Sequence, residues 1–424
     1  MNAEAGVRTS PHAGSVYDAL ILGGGLAGLS SVAALLDEGF SGNVTVVEPR
    51  ARSDYGRDRT WCMWDIGTNP LAHLATHRWT RWVVRDDHRI VRASSERHPY
   101  LRIPADRVYQ HLLERAESAP TVDLRLGSAV ERLDLDDETV RVTTDREVLH
   151  GRVALDGRPV RWSPRDSGLL QSFVGWEVVT ADPVFDTNEV VLMDFRLRAP
   201  GAIEFFYVLP LAPDRALVES TVFGTQGRSV QYHQERIDRY ISSVLGTQVQ
   251  DVEYTERGII PMSVEIDRDR GPHNVRRIGL RGGVAKPSTG YAFLRIQDDS
   301  RHLAREMANG TISPGRRASS GRARTLDGIF LSFLRNQPDL APDAFLSLFE
   351  NVPADDLVAF LSEAGSVSTD WRVVRALPPR PFLGELARRA RNVIGSRAAH
   401  RRNPGRGRVG PEGQPVSPPI AASR

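Results

Sequence analysis

One carboxylic acid stands out by its setting. Glu219 ends the apolar stretch Ala216-Leu217-Val218-Glu219, inside a run rich in aromatic side chains. A carboxyl buried in such surroundings loses the hydration of its charged form, so its pKa rises and it keeps its proton near neutral pH. The pattern predicts a general acid working in an apolar slot. Asp194, in Met193-Asp194-Phe195-Arg196, either shares that site or pairs with Arg196. Glu177, which follows Trp176, reads as a structural acid. Phe173, Trp176, Phe205, Phe206, Tyr207 and Tyr291 either line the slot or form plain core, since aromatics in strands do both.

A second set of residues points to a nucleotide. Gly23-Gly24-Gly25-Leu26-Ala27-Gly28 contains G-x-G-x-x-G at positions 23, 25 and 28. Gly23 permits a tight turn, Gly25 lets backbone approach a pyrophosphate, and Gly28 allows close helix–strand packing. Leu26 and Ala27 open the helix whose unpaired N–H groups face the phosphates. Glu48, at the end of the next strand, is placed to accept hydrogen bonds from ribose hydroxyls. The absence of a second fingerprint and the large remaining region favour FAD over a tightly held nicotinamide. The run Gly279-Leu280-Arg281-Gly282-Gly283 is expected to approach the flavin with its backbone. Ser288, Thr289 and Gly290, just before a further helix, are expected to bring N–H groups to the flavin's polar edge.

Composition narrows the chemistry. Cys62 is the single cysteine, which excludes an intramolecular disulfide and a cysteine-built metal site and suits a reducing cytoplasm. The 11 histidines are scattered, with no pair near a carboxylate at ligand-like spacing, so no metal is expected. Lys286 is the only lysine against a background of arginine, a bias that reads as codon usage. The net charge of +2 implies no particular partner. No apolar run approaches the roughly 20 residues of a spanning helix. Residues 1–15 are polar and lack the pattern of a secretion signal.

The elements that must position these residues follow from periodicity. Residues 17–22 and 43–48 read as strands flanking a helix at 26–38, a β-α-β unit that starts a doubly wound sheet. Alternation predicts a strand pair over 78–92, short strands over 121–155 and several strands from 170 to 223. Helical spacing appears at 104–118, 232–245, 325–334 and 343–363. Residues 311–324 read as a polar loop, and the Arg-, Gly- and Pro-rich end as a basic tail.

Further motifs carry a resemblance. Asp58-Arg59-Thr60-Trp61-Cys62-Met63-Trp64, Phe173-Val174-Gly175-Trp176-Glu177-Val178 and Leu192-Met193-Asp194-Phe195-Arg196 come in order along the chain. Phe206-Tyr207-Val208-Leu209-Pro210-Leu211, Leu217-Val218-Glu219-Ser220-Thr221 and Gly258-Ile259-Ile260-Pro261-Met262 follow, then Lys286-Pro287-Ser288-Thr289-Gly290-Tyr291. Their order and spacing, from about residue 16 to 383, resemble the lycopene cyclase family of bacteria and plants. Leu155-Asp156-Gly157-Arg158-Pro159 keeps an Asp-x-Arg-Pro feature of those relatives, whereas 311–324 and the chain after 395 match nothing in them.

The resemblance implies an α/β (α+β overall) fold: an FAD/NAD(P)-binding Rossmann-like domain, an inserted antiparallel β-sheet substrate domain, and C-terminal helices. The implied division assigns 16–65, 100–160 and 256–310 to the FAD domain and 66–99 and 161–255 to the polyene domain. A C-terminal helical region follows at 325–390, with flexible ends at 1–15 and 391–424. The implied activity closes acyclic ψ ends into rings without net redox change, using reduced FAD with NADPH or NADH as reductant. Glu219 is then the acid, Asp194 a companion, and Arg59 a cofactor contact. Phe173, Trp176, Phe206, Tyr207 and Tyr291 line the polyene, where their faces and the anionic reduced flavin can stabilise a carbocation. A hydrocarbon substrate dissolved in lipid implies a cytoplasmic protein held peripherally on the inner face of the cell membrane, near other carotenoid-pathway enzymes. Arginines 388, 389, 391, 397, 401, 402, 406 and 408 suit anionic headgroups or merely a solvated tail, and without interleaved aromatics they do not suggest nucleic acid. A flavin monooxygenase or isoprenoid-lipid reductase is the next reading, weakened because Gly282-Gly283 lacks the usual Gly-Asp-Ala block. A non-catalytic carotenoid- or flavin-binding protein is the third.

Overall fold

The computed structural model describes residues 16–136, 138–159, 168–264, 274–311, 320–382 and 384–385. The expectations for residues 1–15, for most of the loop at 311–324 and for the tail lie outside the described residues.

The N-terminal half alternates strands and helices. It runs β1 (Val16–Leu22), α1 (Leu26–Asp37), β2 (Val44–Glu48), β3 (Thr60–Trp64), β4 (His77–Trp79), β5 (Arg81–Arg85), β6 (Ile90–Ser94), β7 (Tyr100–Pro104) and α2 (Ala105–Ser118). Then come β8 (Val122–Leu126), β9 (Val130–Leu135), β10 (Val140–Thr144) and β11 (Val148–Asp156). The central strands are β12 (Leu169–Thr180), β13 (Glu189–Asp194), β14 (Ile203–Ala212) and β15 (Arg215–Gly224), followed by α3 (Val230–Arg239), β16 (Val249–Met262) and β17 (Val275–Arg277). The chain continues through α4 (Phe293–Ala308), α5 (Gly321–Asn336), α6 (Ala341–Asn351), α7 (Ala354–Leu361) and α8 (Val367–Ala376).

Two large sheets organise the molecule. In the first, β8, β2, β1 and β11 are parallel, β17 adds to β11, and β10 and β9 continue antiparallel. β1 is wholly buried from Ala19 to Leu22, as a central parallel strand between helix layers must be. The second sheet has the order β16-β12-β15-β14-β13-β5-β6 and is antiparallel except where β13 meets β5. A small β3-β7-β4 sheet is drawn from the stretch between β2 and β8.

Alternation along the second sheet assigns each residue to a face. Val174, Phe206, Val208, Ala216 and Val218 pack with Ile237, Tyr240 and Ile241 at the end of α3. Leu192, Phe205, Leu209, Leu217 and Phe223 face the other way and pack with the C-terminal helices through Phe333, Phe345 and Leu346.

Several boundaries differ from the sequence expectation. β16 belongs to the second sheet through Met262, so the division expected at residue 256 falls inside a strand. Helix α5 begins at Gly321 because Ser320 caps it, accepting a hydrogen bond from Ala323 N–H. The helix expected over 343–363 is two helices, broken at Val352-Pro353, where proline disfavours a helical residue before it. The segment 232–245 is α-helical only to Arg239 and closes in a wider turn over Tyr240–Leu245.

Candidate active site

The glycine-rich turn is built as its spacing requires. Gly23 has φ +107°, a conformation that favours glycine. A Cβ on Gly28 would stand 1.9 Å from the Gly23 carbonyl oxygen, so helix α1 can approach β1 only without a side chain there. Gly24 is equally constrained, because a Cβ would meet the Tyr55 hydroxyl at 2.3 Å. A Cβ on Gly25 would meet no protein atom within 4 Å; the space beside it belongs to a cavity. The first intrahelical bond of α1 runs from Leu29 N–H to Gly25 O, which leaves the N–H groups of Leu26, Ala27 and Gly28 for a ligand. Glu48 lines the same cavity and accepts hydrogen bonds from Gly24 N–H at 2.6 Å and Arg50 Nε at 2.7 Å. The open flank of Gly25, the unspent N–H groups and the acid beside them fit a dinucleotide pyrophosphate and ribose.

Helix α4 offers a second N-terminus to the cavity. Its N-cap, Ala292, has no capping side chain, and Ala292, Phe293 and Leu294 line the cavity with Ser288, Thr289 and Gly290. Gly290 has φ +72°, and its N–H donates to Lys286 O at 2.8 Å, closing the turn before the helix. Ser288 donates to Asp327 Oδ1 at 2.6 Å and Lys286 Nζ donates to the same oxygen at 2.9 Å, which ties this turn to α5. Gly282 and Gly283 do not line the cavity; Leu280 and Arg281 do. The glycine requirement at 282 is internal to the turn, since a Cβ would meet Arg277 O at 2.5 Å. Arg281 and Arg158 both reach Asp156 at 2.9 Å, so the Asp-x-Arg-Pro segment anchors this turn. Arg59 stands on the rim, half in solvent and paired with Asp58.

The cavity is about 1380 Å³ and continuous from the glycine turn to the C-terminal helices. That exceeds the roughly 300–1,000 Å³ of a pocket for one small ligand and leaves room for a second occupant. Beyond the nucleotide end its walls are aromatic and aliphatic. Phe173, Tyr207 and Tyr291 are part of them, with Phe205, Trp61 and Trp64. Trp176 and Phe206 are not. Both point to the α3 face, where Phe206 stacks on Tyr240 with centroids 4.2 Å apart. A side chain one residue out of phase along a strand lies on the opposite face of the sheet, and this removes both from the expected slot.

Glu219 is on the cavity face. It lines the cavity, and Thr221, its only hydrogen-bond donor among the described residues, donates to Oε1 at 2.6 Å. Burial first, and then the neighbouring Glu256, push its carboxyl up to about 8. Asp194 is on the other face. Arg85 Nε, Arg196 Nη2 and the Tyr240 hydroxyl each reach its Oδ2 at 2.7 Å. Burial alone would raise its pKa, but the hydrogen bond from Arg196 and the charge of Arg85 outweigh it and hold the carboxyl below the usual range. Asp194 is therefore a structural ion-pair centre and does not share the site with Glu219. Glu177 is likewise held by Arg102 at 3.0 Å and by Arg57.

The comparisons with known proteins bear on this geometry. The profile of the family described as "Lycopene cyclase protein" matches residues 18–387. The chain belongs to the lycopene cyclase family. Among its relatives, the lycopene beta-cyclase of Pantoea ananas is 24% identical over 87% of this chain and 97% of its own. The lycopene beta-cyclase of a Paracoccus strain is 27% identical over 61% and 69% respectively. Among solved structures, a geranylgeranyl bacteriochlorophyll reductase-like protein of Thermoplasma acidophilum shares the fold, with TM-score 0.57 and 15% identity over 87% of this chain and 98% of that one. For a cyclase of this family, a deep, largely apolar cavity with buried carboxyls on its wall is the feature to explain.

Two parts of the site escaped the sequence reading. Glu256 is 4% exposed and lines the cavity. In the ladder, Gly175 on β12 pairs with Glu219 on one side and Glu256 on the other, and Tyr207 pairs with Glu219 beyond. Tyr207, Glu219, Gly175 and Glu256 thus form one row across four strands, all on the cavity face. The available signal was alternation: Glu256, Gly258 and Ile260 share a parity, and Gly258 makes room for the Phe173 ring, which a Cβ would meet at 2.5 Å. The second omission is the C-terminal wall. Six of the 14 phenylalanines fall in 330–382, and five of them (Phe330, Phe345, Phe349, Phe360 and Phe382) line the cavity.

Proposed function

We propose that this chain is a flavin-dependent lycopene β-cyclase that converts acyclic ψ ends to β-ionone rings, with Glu219 as the acid. The observation that carries this is Glu219 itself, a carboxyl kept protonated near neutral pH on the wall of an aromatic cavity that runs on to a dinucleotide-type turn. Protonating a trisubstituted alkene needs an acid that is neutral and a surrounding that excludes water. Glu219 delivers its proton to the terminal double bond, a tertiary cation forms, the next double bond attacks it, and a proton leaves to set the ring double bond. No electron is gained or lost. Tyr207, next to Glu219 in the row, and Phe173 and Tyr291 offer ring faces to the cation. The glycine turn, Glu48 and the α4 N-terminus would hold FAD, which when reduced supplies negative charge near the reacting end. NADPH or NADH is the reductant in this reading.

The substrate class supports a peripheral membrane location. Among the described residues no helix is long and apolar enough to cross a membrane. Val374 lines the cavity, and with Val367 and Trp371 it forms an exposed apolar stripe on α8, with Trp371 63% exposed. Arg375 and Arg372, the latter paired with Asp356, flank the stripe, an arrangement suited to an anionic bilayer on the cytoplasmic side. Delivery of product to other carotenoid enzymes would follow from that location.

The decisive experiment is expression in a lycopene-accumulating bacterium with pigment analysis, paired with Glu219→Gln. Cyclic products of unchanged mass, lost in the variant, are expected. A product heavier by oxygen or hydrogen would instead indicate a monooxygenase or reductase, and full activity of Glu219→Gln would overturn the role of this acid.

A further inference from the structure

The cavity holds two buried carboxyls, and their surroundings are unlike. Among the described residues, Glu219 has one hydroxyl donor, Thr221, and no cation in contact. Glu256 accepts from the Tyr254 hydroxyl at 3.0 Å, and Thr60, Arg102 and Arg57 also favour its charged form. Glu177 takes the hydrogen bonds of both arginines, but their charge still reaches Glu256. The two glutamates are separated by one strand, and the residue between them is a glycine. Gly175 brings no side chain of its own between them, and the Glu256 side chain packs over it, with Cγ 3.1 Å from where a Cβ would stand.

We propose that Glu256 is a positioning residue for the acid: its carboxylate, fixed two strands away beside Arg102, Arg57 and Tyr254, holds the proton on Glu219. Two interacting carboxyls in an apolar slot release their protons in sequence, and the one with cations loses its proton first. Burial raises both carboxyls, but the hydrogen bonds of Thr60 and Tyr254 and the charges of Arg102 and Arg57 pull Glu256 back toward its charged form, whereas only Thr221 does so for Glu219. The remaining groups facing the pair do not compete. Burial pushes the Cys62 thiol up to about 12 and raises the Tyr100, Tyr207 and Tyr291 hydroxyls further, so all stay protonated across the working range. The inference rests on Glu219 being the acid.

The test is the pH dependence of kcat for Glu256→Gln and Glu256→Asp, with the bound flavin fully reduced and flavin content checked by absorbance. Removing a unit charge roughly 9–10 Å away, at an effective dielectric near 20, is expected to move the alkaline limb of Glu256→Gln down by about one pH unit. Glu256→Asp, which keeps the charge, is expected to retain the wild-type limb, and rates near pH 6 are expected to stay within several-fold of wild type. A limb in Glu256→Gln that superposes on wild type overturns the proposal. Should that variant fail to bind flavin, infrared titration of the flavin-free proteins decides. The protonated-carboxyl band identified as Glu219 by its loss in Glu219→Gln must titrate at lower pH in Glu256→Gln than in wild type, and an unshifted midpoint overturns the proposal. An active Glu219→Gln sinks the acid assignment itself, whereas an inactive one beside an unshifted Glu256→Gln sinks only this inference.

Discussion

Keeping Glu219 protonated has a cost that unfolding experiments can read. Its carboxyl moves from 4.5 to about 8 on folding. A group whose folded pKa is raised binds its proton more tightly in the native state, so between those two values the folded protein holds a proton that the unfolded chain has released. Stability then falls as pH rises, by about 1.4 kcal/mol per pH unit. The loss is nil below pH 4.5 and complete above about 8, where it reaches on the order of 4–5 kcal/mol, reduced in proportion to any water the cavity admits. Against a total stability of roughly 5–15 kcal/mol this is a large fraction. Glu219→Gln keeps the shape and the hydrogen bond from Thr221 but cannot ionise. It should match wild type in urea or thermal unfolding at pH 5 and exceed it by several degrees in Tm at pH 8.5. The same variant should lose cyclisation by at least about 10²-fold, the usual worth of a positioned acid. A stability difference that is the same at both pH values, or a variant less stable than wild type at pH 8.5, would refute the raised pKa and with it the argument for a neutral acid.

Three further outcomes are expected. Gly28→Ala should abolish flavin retention, read as loss of visible absorbance after purification, because its Cβ would lie 1.9 Å from the Gly23 carbonyl oxygen. Asp194→Asn should cost about 3–5 kcal/mol of stability by leaving Arg85 and Arg196 unpaired, yet preserve the pH profile of turnover, because Asp194 faces away from the cavity. Trp371→Glu should weaken cosedimentation with anionic vesicles several-fold while leaving activity on detergent-dispersed substrate intact; unchanged cosedimentation would remove α8 from the docking surface.

The legible parts of this protein were those written in local pattern. Gly23, Gly25 and Gly28 with a strand before and a helix after specify one turn, because each glycine answers a short-range steric demand that the sequence spacing carries. Glu219 was legible because an acid in an apolar strand is rare and expensive. Trp176 and Phe206 were misplaced for a different reason. Hydrophobicity marks a residue as buried but not the face it is buried on, and both faces of this sheet are covered. Glu256 was missed because its neighbours in sequence are polar; the groups that meet it include Thr60 on β3 and Arg102 on β7, more than 150 residues earlier in the chain. The C-terminal phenylalanines carry helical spacing in the sequence, but that they close a cavity depends on packing against a sheet no local pattern predicts.

The second sheet holds several buried acids, and the face each one meets separates their uses; Asp194 reaches the α3 face because the pairing of β13 is irregular between Val191 and Asp194. Glu204 on β14 and Asp194 on β13 turn toward α3, where Arg236 at 2.8 Å and Arg85 with Arg196 at 2.7 Å receive them. Glu219 on β15 turns to the cavity, where among the described residues no arginine or lysine contacts it. A carboxylate beside an arginine is a poor proton donor at neutral pH, because the cation stabilises the form that has already lost the proton. The same carboxyl among phenylalanines and tyrosines keeps its proton. The placement of cations, none of which among the described residues contacts Glu219, is therefore what makes this acid available for chemistry while its neighbours in the sheet serve the fold. An arginine introduced at Gly175, between the two glutamates, would convert the site to the structural kind: it should pull the acid into the ionised range, abolish cyclisation at pH 7, and leave no recovery of activity on acidification to pH 5.5. Recovery there would mean that the distribution of cations is not what sets the proton on Glu219.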